Sequence, residues 1–280
     1  MRNWTIGLLL IFSLQIYAQD SKNLVILHLN DTHSRIEPIS SSDYKNPNTG
    51  GVVRLDAYVT EVRKEHDAVL LFHCGDIVQG TPYFNMFKGL AEIEFMNFTR
   101  YDAACLGNHE FDYGLEALKE IVEAAQFPFI ATNYDFSETI LAGLTKEYTI
   151  FEKEDLKVGV IGLGINPKGL VASVNHEGMK YLDPIESANR TAAYLKEQEG
   201  CDLIVCLSHL GYYQDEKRLG DITLAKESRN IDIILGGHTH TFFNEPVCAT
   251  NLDGKEVVIN QAGDKGINVG RLDIIMTQEK

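Results

Sequence analysis

Short apolar runs recur along this chain, and each ends in a polar loop. They are LVILHL at 24–29, AVLLFHC at 68–74, DAACL at 102–106, FPFIAT at 127–132, KVGVIGLG at 157–164, DLIVCLS at 202–208 and IDIILGG at 231–237. Each is rich in Val, Ile, Leu or Phe and has the length of a buried strand. Amphipathic stretches lie between many of them. In VVRLDAYVTEVRKEHD, Val52, Leu55, Val59 and Val62 fall on one helical face. GLEALKEIVEAA at 114–125 and IESANRTAAYLKEQ at 185–198 also read as helices. Strands alternating with helices predict a layered α/β domain.

Two departures from strict alternation change that picture. EYTIFEKEDLKVGVIGL predicts a hairpin turning at 153–156, while KEVVINQAG and INVGRLDIIMT follow each other without a helix. The sheet is therefore expected to be mixed or doubled, not purely parallel. PISSSDYKNPNTGG at 38–51 reads as a polar loop within the domain. No internal repeat and no linker rich in Pro, Gly or Ser divides the chain, so 19–280 reads as one domain.

The first residues, MRNWTIGLLLIFSLQIYAQD, follow a different pattern. Arg2 precedes an almost continuous apolar run from Ile6 to Ile16, and Ala18 offers a small residue at a cleavage point. That order reads as a secretory signal peptide over 1–18. The run is short for a membrane span, and Gln19 stands where a lipoprotein signal would place cysteine. Export to a periplasmic or extracellular compartment is expected, without a stable membrane anchor.

The net charge of −15 argues against a nucleic-acid polymer as partner, because such binding needs basic patches. A site for an anionic substrate would need local positive charge, which a bound metal can supply. Five cysteines cannot all pair within one chain, and Cys74, Cys105 and Cys206 sit in apolar runs as small hydrophobes.

In layered α/β proteins, ligands bind at the carboxyl ends of the strands. Asp31 and His33 follow LVILHL; Asp76 follows AVLLFHC; Asn108, His109 and Asp112 follow DAACL. His209 follows DLIVCLS, and His238 and His240 follow IDIILGG. Imidazole, carboxylate and amide oxygen together suit Zn, Mn, Fe, Co or Ni, and the lack of thiolate argues against a structural zinc site. The donors are too many for one ion. Two divalent ions sharing a carboxylate, roughly 3.5–4 Å apart, would use them and would drive displacement at phosphorus. In Asp31-x-His33 and His238-x-His240, alternate residues of an extended segment would point the same way.

LHLNDTHSRIEP, GDIVQGTPYFN, YDAACLGNHEFDYG and GGHTHTFF carry a resemblance. Together they resemble the calcineurin-like metallophosphoesterases and, within them, the 5′-nucleotidase family. The resemblance runs from Leu24 to about Arg271. It implies a metallophosphatase-like α/β fold: a four-layer α-β-β-α sandwich of two mixed sheets. It implies that Asp31, His33 and His240 hold one metal, that Asn108, His209 and His238 hold the other, and that Asp76 bridges them. His109 would stabilise charge on the phosphoryl group and assist the leaving oxygen, with Asp112 orienting it. The reaction implied is in-line attack of a metal-bound hydroxide on a small phosphate ester or nucleotide. Glu110 and Phe111 receive no role, and no substrate-binding residue is assigned.

Full-length members of that family carry a further C-terminal domain that holds the nucleoside, and this chain ends at Lys280. Three expectations follow. A separate substrate-binding subunit supplies that half, the chain acts alone on varied phosphate esters, or it is a non-catalytic metal-binding interaction module. Phosphodiesters and nucleotide sugars remain alternative substrates, because the metal centre is common to them.

Overall fold

The apolar runs become strands, and the strands divide between two sheets. The computed structural model describes residues 21–213 and 219–277. The expected signal peptide at 1–18 lies outside the described residues. One sheet has the order Gly270–Thr277, Ser21–Leu29, Val69–Cys74, Ala103–Cys105 and Phe129–Ile130. Only its Gly270–Thr277 edge is antiparallel. The other has the order Val247–Thr250, Glu256–Asn260, Ile233–Leu235, Leu203–Ser208, Leu156–Leu163 and Tyr148–Lys153. Its four central strands are parallel and both edges antiparallel. Both sheets are thus mixed, and the hairpin at 153–156 forms.

Alternation along each strand sets the layers, because successive side chains point to opposite faces. Leu24, Ile26, Leu70 and Phe72 meet Val158, Val160, Val205, Leu207 and Leu235 between the sheets. On the outer face of the first sheet, Val25, Leu27 and Leu71 meet Val59, Val62, Ile93, Leu118 and Ile121 from helices. On the outer face of the second, Ile204, Cys206 and Ile234 meet Ala188, Ala192, Leu195 and Leu224. This is the four-layer α-β-β-α order.

The three expected helices form as Val52–Glu65, Gly114–Ala124 and Pro184–Glu197. Pro82–Phe87, Leu90–Thr99 and Asp221–Glu227 are further helices that periodicity did not mark. Leu90–Thr99 is apolar around its girth: Ile93 and Met96 are buried while Leu90, Phe95 and Phe98 remain exposed. No apolar stripe therefore distinguishes it from a strand. The FPFIAT run yields only Phe129–Ile130 as strand.

One buried polar group stands out in the first sheet. His28 is fully buried opposite Gly270, and neither ring nitrogen has a hydrogen-bond partner. A Cβ at position 270 would lie 2.0 Å from His28 Nε2, so glycine is required there by close approach. Cys74, Cys105, Cys201 and Cys206 are buried free thiols and Cys248 is an exposed one. Among the described residues, no helix is long and apolar enough to cross a membrane.

Candidate metal centre

Five parallel strands end at one edge of the sandwich: Ser21–Leu29, Val69–Cys74 and Ala103–Cys105 from one sheet, Leu203–Ser208 and Ile233–Leu235 from the other. The loops that follow carry every site residue expected from the sequence. Their backbone differs from the expectation. Asp31 (φ 50°), His33 (50°), Asp76 (54°), His238 (71°) and His240 (53°) all adopt left-handed conformations. The pairs Asp31/His33 and His238/His240 are therefore not aimed by extended alternation. Left-handed turns aim them, at roughly 1 kcal/mol or more per residue. The consequence is visible in the second pair, whose members face different clusters.

In the first cluster, His33 Nε2 lies 3.1 Å from His240 Nε2, and Asp31 Oδ1 lies 3.2 Å from His240 Nε2 and 3.9 Å from His33 Nε2. In the second, Asp76 Oδ2 lies 3.1 Å from His209 Nε2, and Asn108 Oδ1 lies 3.0 Å from His238 Nδ1. Asp76 also groups with His33 and His109, all three donor atoms within 4.8 Å of one another. It thus stands between the clusters. His109 Nδ1 pairs with Asp112 Oδ2 at 2.8 Å, and its ring meets His33 edge-on at 5.4 Å.

The electrostatics follow from this crowding. Burial opposes charge on His209, yet Asp76 and Asp31 beside it push its imidazole up to about 10. Burial also works against the Asp76 carboxylate, but His209 and His109 hold it well below the usual range. Burial lowers His33 and His238, whereas a hydrogen bond to Asp31 raises His240. On His109, burial opposes charge, but the Asp112 hydrogen bond outweighs it and raises the imidazole.

The donors fit divalent metal. Two ligands each about 2.1 Å from a shared ion stand roughly 3.0–3.5 Å apart. The His33–His240 and Asp31–His240 separations, 3.1 Å and 3.2 Å, have that spacing. His209 Nδ1 donates to the Cys74 carbonyl at 2.6 Å, so that in the neutral ring it is Nε2 that carries the lone pair. That buried Nε2 makes no hydrogen bond, the Asp76 oxygen being close but off-line.

A sequence profile of the Calcineurin-like phosphoesterase family matches residues 24–242. The chain belongs to that family. A snake venom 5′-nucleotidase from Crotalus adamanteus is 33% identical over 278 residues, covering 92% of this chain and 46% of that protein. The crystal structure of a 5′-nucleotidase precursor from Thermus thermophilus superposes with a TM-score of 0.81 at 35% identity, covering 90% of this chain and 51% of that one. The NAD nucleotidase of Haemophilus influenzae gives a TM-score of 0.81 at 31% identity, covering 92% and 48%. The chain spans about half the length of the curated relatives it matches. The donor set is of the metal-ligating kind, and the family is one of phosphoesterases.

Around these donors lies a ring of residues outside the expected ligand set and the His109–Asp112 pair. Asn30 Nδ2 donates to Asp31 Oδ2 at 2.7 Å and to the Gly263 carbonyl at 2.6 Å. Gln261 Nε2 donates to the Gly237 carbonyl at 2.9 Å, and its Oε1 accepts from Thr241 N, holding the His238–His240 loop. His73 Nε2 lies 3.0 Å from Thr32 Oγ1, between the two residues of the Asp31/His33 pair. Glu110 is buried and accepts backbone N–H bonds from two strand-end turns. Gly75 has a left-handed φ of 80° at its turn, whereas Gly107 is needed for proximity: a Cβ there would lie 2.3 Å from Asp76 Oδ1. A cleft of about 330 Å³ opens over the donors, and Arg35, Gln79, Asp264 and Lys265 share its walls with His33, His109 and His240.

Proposed function

We propose that this chain hydrolyses the phosphate ester of nucleotides, in the manner of a 5′-nucleotidase, at a pair of divalent ions. The observation that carries this reading is the convergence of two donor clusters around Asp76, with the His109–Asp112 pair at their edge. Asp31, His33 and His240 would hold one ion; Asn108, His209 and His238 would hold the other; Asp76 would bridge. Bound there, the pair supplies an activated water and neutralises charge on the phosphoryl oxygens. The protein's own part is positional and electrostatic. Asp112 accepts from His109 Nδ1 and favours the imidazolium, in which Nε2–H is a donor as well and can face the phosphoryl group and the leaving oxygen. Arg35 and Lys265 place two cations on the wall of the cleft in a chain of net charge −15.

Those two cations favour a second reading, cleavage next to a second phosphate, as in a phosphoanhydride. A panel of AMP, UDP-glucose, 2′,3′-cyclic AMP and para-nitrophenyl phosphate, assayed with metal analysis, separates the readings. Release of phosphate from AMP under Mn, Co or Zn supports the first. Preferential turnover of UDP-glucose supports the second. No turnover of any of the four with metal bound sinks both and leaves a metal-binding interaction module. The order of charge, apolar run and small residue in 1–18 supports export, which places the substrate outside the cytoplasm. The reading of 19–280 as one domain is tested by limited proteolysis, where early cleavage into two stable fragments would count against it.

A further inference from the structure

We propose that Glu110 is a positioning residue whose carboxylate ties together the turns carrying Asp76 and Asn108, and so sets the geometry chiefly of the metal position that these two residues share. The inference rests on reading Asp76 and Asn108 as metal ligands.

Glu110 lies in the 3₁₀ turn His109–Phe111 and is 2% exposed. Its Oε2 accepts from Gly107 N at 2.6 Å and from Asp76 N at 2.9 Å. Its Oε1 accepts from Ile77 N at 2.7 Å, with Val78 N farther off at 3.4 Å. One donor thus comes from the turn after Ala103–Cys105, and the others from the turn after Val69–Cys74. The two strands pair in parallel up to Cys74 and Cys105. Beyond those residues the ladder stops, and the Glu110 carboxylate takes over the N–H groups that no neighbouring strand satisfies.

The turns it joins are in closest contact. A Cβ on Gly75 would lie 2.6 Å from Gly107 N. Asp76 stands in the left-handed region at φ 54°, a conformation that must be held by its surroundings. Its N–H is held by Glu110, its Oδ1 by His109 N at 2.9 Å and its carbonyl by His33 N at 3.1 Å. An ionised carboxylate accepts only, so it suits this set of donors. The amide of glutamine would turn an NH₂ group towards N–H groups and could not reproduce it. Asp31, His33 and His240 receive no bond from Glu110 and meet its clasp only through the Asp76 turn, so their ion should be the less affected.

The test is titration of the metal-free protein with Co²⁺, read by visible absorption and by calorimetry, alongside thermal unfolding without metal. Wild type is expected to bind two ions. Glu110→Gln is expected to bind the ion of Asn108, His209 and His238 about 10–100-fold more weakly, as loss of an outer partner typically does, and the other ion with a smaller loss. Glu110→Asp, which keeps the charge at shorter reach, is expected to fall between, and it carries the test if Glu110→Gln does not fold. Two ions bound with wild-type affinity and spectrum, with only the melting temperature lowered, overturns the proposal and makes Glu110 a purely structural clasp. Failure of wild type to bind any Co²⁺ overturns the ligand reading, and this inference with it.

Discussion

His109 Nδ1 and Asp112 Oδ2 lie 2.8 Å apart on one turn, while the ring of His109 leans against His33. A residue of the first donor cluster and the His109–Asp112 pair are therefore in contact. His109→Asn is expected to keep both metals and lose on the order of 10²–10⁴-fold in kcat. Metal content by mass spectrometry and steady-state rates check this. Wild-type turnover in that variant would remove His109 from the chemistry.

Asp112→Asn tests the other half of the pair. Against burial, Asp112 raises the His109 imidazole, so the cation persists to higher pH than in an ordinary histidine. Without the carboxylate that support is lost, and the alkaline limb of the kcat profile should move to lower pH. The rate loss should be smaller than for His109→Asn, about 10-fold or more. A pH–rate profile superimposable on wild type would sink the orienting role.

Metal binding should release protons. In the metal-free protein, His209 is pushed up to about 10 by Asp76 and Asp31 against its burial. An ion needs the neutral ring, so uptake near neutral pH must displace that proton. Apparent affinity should accordingly rise with pH through this range. Calorimetric titration in two buffers of different ionisation enthalpy reads the proton count, and identical heats would contradict it.

The phosphate-facing cations can be tested by charge removal. Lys265→Ala and Arg35→Ala are each expected to raise KM, on the order of 10-fold for a substrate with two phosphates and less for a monoester. Lys265 is 42% exposed and already pairs with Asp264, so its effect should be the smaller and should weaken with salt. Equal KM changes for both substrate types would argue against a second-phosphate subsite.

His28 makes stability depend on pH. Burial lowers its imidazole from 6.5 to about 4. As pH falls, the unfolded chain takes up the proton first, so stability is full above about 6.5 and is lost towards 4. The loss at about pH 4.5 amounts to about 2–3 kcal/mol from this residue. Urea unfolding of wild type and His28→Leu at about pH 7 and about pH 4.5 should show a flatter dependence in the variant. Equal slopes would assign the acid sensitivity elsewhere.

The convergence of these side chains could be read before the fold was known, because polar groups at strand ends leave a mark in the letters. Asp31, Asp76, Asn108 and His238 each stand within three residues of an apolar run. What could not be read is conformation without composition. The left-handed turns at Asp31, His33 and His240 use residues that are ordinary elsewhere, so alternation is the natural way to aim them on sequence grounds. Glu110 was opaque for a related reason. Its partners are backbone N–H groups, which every residue but proline carries, so nothing in the sequence distinguishes it from a solvated acid. The second sheet was expected from the resemblance alone, and alternation of strand faces supports it only once pairing is known. Leu90–Thr99 stayed hidden because its exposed aromatics erase the helical stripe.

The pairing of Ser21–Leu29 with Gly270–Thr277 places the earliest-made strand of the described chain beside the last. At about 5–20 residues per second, synthesis of the intervening chain takes roughly 10–50 s. Through that interval one side of the Ser21–Leu29 strand has no neighbour. The Asp31 carbonyl likewise waits for the backbone N–H of Lys265, its partner at 2.8 Å. Asp31, the first of the candidate donors to be translated, thus gains this last backbone partner only when nearly all of the described chain has been made.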